Sequence, residues 1–188
     1  GSEGPEIINE AIRIQGDLGI EATAGGSTPL IGPLVRRSFV DRPNSTRQVN
    51  NGTTTAIFIG MEHGKDFDAG LNEAIERGLA ERNHESDTQG HDSSYKLAII
   101  ASLIFKTLVP PDVIRRRGII GIRPFDAEYA RQFKTDVGDP GYVIRLLSTA
   151  RRNPDGLYDL LVSPALLSKE KLLARVDGPN NGFEIDWE

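Results

Sequence analysis

Residues 6–15 place Ile8, Ala11, Ile12 and Gln15 at helical spacing, which predicts a short amphipathic helix. Residues 18–24 have the character of a strand and run into the turn Gly25-Gly26-Ser27-Thr28-Pro29, after which a proline-started helix is expected over 30–38. Polar sequence follows, with a strand expected at Arg47-Gln48-Val49 and a turn at Asn51-Gly52 ahead of Thr53. Asp66 is placed to cap a helix that reaches Arg77 and stops at Gly78. Residues 81–91 are polar and read as a loop. The pattern then changes sharply: Leu97, Ile100, Ala101, Ile104 and Phe105 repeat at i, i+3, i+4 and i+7, which predicts a buried helix over 93–106, ended by Pro110-Pro111. A short apolar run at 118–122, a helix over 125–133, and strands over 142–150 and 157–162 complete the chain. Helices and strands are mixed without regular alternation. The expected class is therefore α+β, a mixed β-sheet covered by helices, and not a doubly wound parallel sheet.

The chain of 188 residues has the length of one domain, 1–188, and shows no internal repeat or separating linker. Its 38% apolar and 26% charged residues can build a sizeable core, which excludes a disordered or collagen-like chain. With 22 basic and 27 acidic side chains the formal charge is −5, which argues against a nucleic-acid partner. The one local basic cluster, Arg115-Arg116-Arg117, suits a solvated helix end or a contact with a partner chain. No segment approaches the length of a membrane helix and no basic-then-apolar leader opens the sequence, so a cytoplasmic protein is expected. The absence of cysteine removes thiol nucleophiles, disulfides and zinc–thiolate sites.

Several chemistries lack their motifs. There is no Gly-x-Gly-x-x-Gly after a strand, no phosphate loop and no Gly-x-Ser-x-Gly elbow. His63, His84 and His91 do not have the i, i+4 pairing of a zinc protease, and His63 and His84 read as surface residues. What stands out is Glu81 followed by Asp87, Gly90, Asp92 and Lys96. Asp92 and Lys96 are four residues apart at the start of the long apolar helix, so both face the same way. A lysine stem wedged at the polar edge of such a helix is partly desolvated, which lowers its proton affinity and suits an acid or base. The plainer alternative is that Asp92 caps the helix and pairs with Lys96 in a solvent-exposed ion pair.

These residues lie within GLAERNHESDTQGHDSSYKL, residues 78–97, which resembles the signature of homoserine dehydrogenases: Gly-Tyr-Ala-Glu, then Asp, Gly-x-Asp and a lysine four residues on. Upstream, EATAGGSTPLI and NGTTTAIFIGM are similar to two further segments of that family. Downstream, GIIGIRPFD, GYVIRLLSTARR and VSPALLSKEKLLARVDGPNNGF follow it in order and spacing. The resemblance implies a catalytic, substrate-binding and dimerisation domain that takes homoserine or aspartate semialdehyde beside NAD(P), in amino-acid biosynthesis. It implies Lys96 as the acid/base at the substrate hydroxyl and Asp92 as the group that orients it. Glu81 would hold the substrate ammonium, Thr53 would contact the amino-acid end, and Asp87 would support the loop. Such roles agree with elementary chemistry: oxidising an alcohol by hydride transfer leaves a proton for a positioned base, and a bound ammonium needs an anion. Glu21 with the carbonyls of Ala24, Gly26 and Thr28 would match the family's site for a monovalent cation such as sodium, against the alternative of a plain glycine-rich bend.

The departures from the family pattern are specific. Glu3 stands where the family has a second active-site lysine, Leu79 where tyrosine is usual, Asn83-His84 where Asp-Pro is usual, and Thr55 where asparagine is usual. The resemblance also omits the family's Rossmann-type nucleotide domain, so a separate nucleotide-binding domain and a homodimer are the expected partners, with turnover not expected from this chain alone. Two functions remain open on the sequence. One is the substrate half of a homoserine-dehydrogenase-like oxidoreductase, favoured by Glu81, Asp92 and Lys96. The other is a non-catalytic relative that keeps the fold as a dimeric amino-acid-binding or assembly module, favoured by Glu3.

Overall fold

The computed structural model describes residues 3–14, 21–26, 28–136 and 138–188. The side chains of Ile8 and Ile12 and the first part of the strand expected at 18–24 lie outside the described residues, as does Ser27. In chain order the elements are α1 (Gly4–Arg13), α2 (Glu21–Gly25), α3 (Ile31–Arg37), β1 (Pro43–Val49), α4 (Gly52–Glu62), α5 (Phe67–Glu76), α6 (Glu85–Thr88), α7 (His91–Phe105), β2 (Arg115–Arg116), α8 (Pro124–Gln132), β3 (Tyr142–Arg152), β4 (Tyr158–Ser168) and β5 (Gly182–Trp187). Short 3-10 turns occur at Pro111–Val113 and Leu172–Arg175. The five strands form one sheet in the order β2-β4-β3-β1-β5, antiparallel except where β2 runs parallel to β4. This is the α+β arrangement that the sequence predicts.

Alternation along the strands decides what lies on each face of the sheet. Ile144, Leu146 and Ala150 of β3 join Leu160 and Val162 of β4 on one face, where they pack against Ile57, Phe58 and Met61 of α4, Leu97, Ala98 and Ala101 of α7, and Ala127 and Ala130 of α8. Val143 and Leu167, which face each other across the β3–β4 ladder, lie on the other face, and the turn Leu172–Arg175 covers them through Leu173 and Ala174. The remainder of that face carries Ser45, Arg47, Thr149, Arg151 and Asp159, which also pair across the ladders, and it is polar and open.

Helix α7 is buried nearly all round, as a helix between two layers must be. Its Ile99, Ile100 and Ile104 pack against Ala24, Leu30, Ile31 and Leu34 of the N-terminal helices. Helices α4 and α5 cross where two glycines meet: a Cβ on Gly70 would lie 3.2 Å from the Ile57 carbonyl oxygen, and one on Gly60 3.2 Å from the Gly70 Cα. Only glycine lets these backbones approach so closely.

Several elements differ from expectation. Residues 21–25 form a helical turn, α2, and not the end of a strand, because the Glu21 carboxylate folds onto the start of α3. Asn51-Gly52 is not a hairpin turn but the start of α4, with Asn51 as its N-cap. The segment 81–91 contains α6, and α7 begins at His91 instead of Ser93 and ends at Phe105, where Lys106 turns left-handed, before the two prolines. Residues 118–122 are not a strand; the nearby strand is β2, so Arg115 and Arg116 sit on a sheet edge and not at a helix end, and all three arginines are exposed. Strand β4 continues past Val162 through Pro164, since β2 pairs only with Leu161 and Val162 and leaves Pro164 on an unpaired edge where no N–H is needed.

Candidate active site at the start of the central helix

Strand β1 leads through Asn50 into α4, and this short passage builds the site. The Asn51 side-chain oxygen accepts the Thr54 amide at 2.9 Å, which caps α4. The same side chain's nitrogen donates to Asp87 Oδ1 at 2.7 Å and to Asp92 Oδ2 at 3.0 Å. One buried amide therefore joins the starts of α4 and α7 to α6, with both of its N–H groups directed at carboxylates. Asp92 lies in the first turn of α7, where the helix dipole favours an anion, and the preceding Gly90 takes the left-handed conformation (φ 78°) that starts this helix.

Lys96 lies one turn further along the same face. Its Nζ is 2.8 Å from Asp92 Oδ2 and donates to the Asn50 carbonyl at 2.9 Å. The side chains of Lys96 and Asp92 are 23% and 30% exposed, so the pair is neither fully solvated nor sealed. An ammonium has three donors, and these contacts take two. Beneath it, the buried Asn50 donates to Gln48 at 2.9 Å, and Gln48 in turn donates to Thr46 at 3.3 Å, a polar column along β1 that anchors the carbonyl holding Lys96.

Thr53 is buried. Its hydroxyl lies 2.8 Å from the Leu79 carbonyl oxygen and 3.1 Å from Asp87 Oδ2, and its one proton serves one of them at a time. Asp87, Asp92, Lys96 and Thr53 are thus brought into one network. Glu81 is exposed, and it has no hydrogen bond or ion pair with other described residues. His63 is exposed as expected, whereas His84 is half-buried and its Nδ1 is enclosed without a partner among the described residues. His91, half-buried at the start of α7, is held below the usual histidine pKa by burial and then by the Arg116 charge.

The glycine-rich turn is a separate group. Glu21 accepts the Ile31 and Gly32 amides at 2.7 and 2.9 Å, so both carboxylate oxygens serve the first turn of α3. Ala24 is buried, Gly26 has φ 60°, and Thr28 is half-buried with its amide donated to the Gly25 carbonyl at 3.0 Å. Glu3, just before α1, is exposed.

Sequence reasoning found Asp87, Asp92 and Lys96 through their spacing but passed over Asn50, Asn51 and Gln48. The available signal was Asn51 itself, a preferred N-cap residue just ahead of the run Thr53 to Ile59, which the Asn-Gly dipeptide disguises as a turn.

Known proteins resemble this chain in both sequence and fold. The homoserine dehydrogenase family pattern matches residues 29–188. The homoserine dehydrogenase of Corynebacterium glutamicum is 34% identical over 188 residues, covering 97% of this chain and 41% of the relative. Among solved structures, a homoserine dehydrogenase from Thiobacillus denitrificans superposes with a TM-score of 0.86 at 31% identity, covering 99% of this chain and 42% of that one. A hyperthermophilic archaeal homoserine dehydrogenase mutant in complex with NADPH gives a TM-score of 0.75 at 27% identity, covering 97% and 50%. The chain spans about two fifths of the length of the curated relative, and with its family pattern, sequence and fold all in agreement it belongs to the homoserine dehydrogenase family.

Proposed function

We propose that this chain is the substrate-binding and catalytic domain of an oxidoreductase that interconverts L-homoserine and L-aspartate 4-semialdehyde. The observation that carries the proposal is Lys96, whose ammonium is held by Asp92 and the Asn50 carbonyl with its third donor left over. In the reduction, that donor delivers a proton to the aldehyde oxygen; in the oxidation, neutral Lys96 takes the proton from the hydroxyl. When bound, NAD(P) would supply the hydride acceptor or donor for the carbon that carries that oxygen. The residues of this chain leave it access, because Asp92 and Lys96 are partly exposed and the chain lacks the fingerprint that binds a dinucleotide, and the nucleotide would be presented by a separate domain. Asp92 orients Lys96, Asn51 holds Asp92 in place and is itself held by Asp87, and the exposed Glu81 offers a free carboxylate to the substrate ammonium. The buried Thr53 acts at the amino-acid end through Asp87 and the Leu79 carbonyl.

Two finer parts belong to the same proposal. A monovalent cation such as sodium would use the remaining Glu21 lone pairs with the carbonyls of Ala24, Gly26 and Thr28, a hard-oxygen set of low charge that suits such an ion. A second copy of the chain would lie on the open face of the sheet, as the homodimer that the family resemblance implies. Concentration-independent monomer in sedimentation would remove that part.

Titration of the protein with L-homoserine tests the substrate site: saturable binding that Glu81→Gln weakens is expected. In the presence of a nucleotide-binding partner, Lys96→Ala should abolish homoserine-dependent hydride transfer with folding intact. Unchanged turnover would take Lys96 out of the chemistry, and absence of homoserine binding to the assembled protein would favour the non-catalytic relative that Glu3 suggests.

A further inference from the structure

A second group of charged side chains lies ten residues, or roughly 15 Å, further along α7 than Lys96. There, at the end of α7, a cavity of about 310 Å³ opens between the start of β1 and the end of β3. Arg42, Lys106 and Arg152 line it, and none of the three makes a side-chain hydrogen bond or ion pair with another described residue. The one carboxylate in its wall, Asp41, is already paired with Arg37. A neighbouring cavity of about 430 Å³ shares Arg42 and Arg152 and adds Arg151 and Glu188. In a chain of net charge −5, three unpaired cations around one cavity stand apart from the general charge distribution.

The backbone adds an independent observation. Lys106 has φ 52° and ψ 40°, and it is the only residue other than glycine with a positive φ among the described residues. Helices commonly end on a left-handed residue, and glycine takes that position without strain. A lysine there sets a cation in the cavity wall at a conformational cost.

We propose that this cavity binds a small molecule through a phosphate group. Two guanidinium forks and an ammonium supply planar and point donors to an anion with several acceptor oxygens and up to two charges. The stacked rings of Phe105 and Tyr158, 4.3 Å apart, give the cavity an apolar wall for the organic part of the molecule.

The probe is inorganic phosphate, titrated by calorimetry into the protein against sodium chloride at matched ionic strength. Saturable binding is expected, weakened at least about tenfold by Arg42→Gln and by Arg152→Gln, and unchanged by Lys171→Gln on an exposed turn elsewhere. Lys106→Gly guards against a folding artefact, because it removes the charge while relieving the left-handed strain: it should unfold no earlier in chloride and yet bind phosphate more weakly. No saturation beyond the chloride control, or equal weakening by Lys171→Gln, overturns the proposal. Saturation by a tetraglutamate peptide without saturation by phosphate also overturns it, and assigns the cavity to a protein segment.

Discussion

Replacing Asn51 isolates the network at the start of α7, because this side chain, 4% exposed, makes one capping bond and two bonds to carboxylates. In Asn51→Ala all three are lost: a cap contributes about 1 kcal/mol, and each bond to a charged, partly screened partner about 1.5 kcal/mol at the low end of its range. The expected loss is about 4 kcal/mol. Asn51→Asp separates the contributions. It keeps an acceptor for the Thr54 amide, but it removes both donors and sets a third carboxylate against Asp87 and Asp92. Repulsion makes the folded cluster hold protons more strongly than the unfolded chain does, so the deficit is largest where all three are ionised and shrinks as the pH falls into the carboxylate range. Urea unfolding of the three proteins at about pH 7.5 and about pH 5 reads both effects. Asn51→Asp should be the least stable at the higher pH and should gain at least about 1 kcal/mol on the native protein at the lower. An Asn51→Asp deficit that does not change with pH, or one within about 0.5 kcal/mol of the native protein at both, would refute the account.

Gly70→Ala forces a methyl group 3.2 Å from the Ile57 carbonyl where α4 crosses α5, and a loss of about 1 to 3 kcal/mol in chemical unfolding is expected. Asp139 is held down to about 2 by the Thr135 amide, then the Thr135 hydroxyl and the Gly141 amide. Its folded value lies below the ordinary 3.8, so its contribution is present above that value and fades as the pH falls toward 2; Asp139→Asn should lower the melting temperature at neutral pH and leave it unchanged near the bottom of that window.

The sequence was most legible where one physical signal acted alone. Asp66 accepts the Ala69 amide at 2.8 Å and caps α5 as its position predicts, and the Asp92–Lys96 pair follows directly from i, i+4 geometry. It was least legible where burial removed the contrast between faces. In α4 every residue from Thr53 to Phe58 is buried, and an apolar or threonine side chain at each position leaves no periodic stripe to detect. Strand β5 shows the reverse case. Phe183, Ile185 and Trp187 alternate with Glu184 and Asp186, a period of two that marks a strand, but the run is short and follows Gly178-Pro179-Asn180-Asn181, which reads as loop. At the site, Asn51 acts through contacts with Asp87 and Asp92, 36 and 41 residues away, and no local pattern encodes such partners.

The route from β1 into α4 also determines when the site can come apart. Strand β1 has a neighbour on both sides, β3 and β5, and Asn50 follows it without an intervening loop. Amides in such a doubly paired strand exchange with solvent only in the larger openings of a protein. The carbonyl that holds Lys96 is therefore attached to one of the slowest-opening segments of the chain. Deuterium should reach the amides of Gln48 and Val49 on the timescale of global unfolding, while the exposed segment around Glu81 exchanges early.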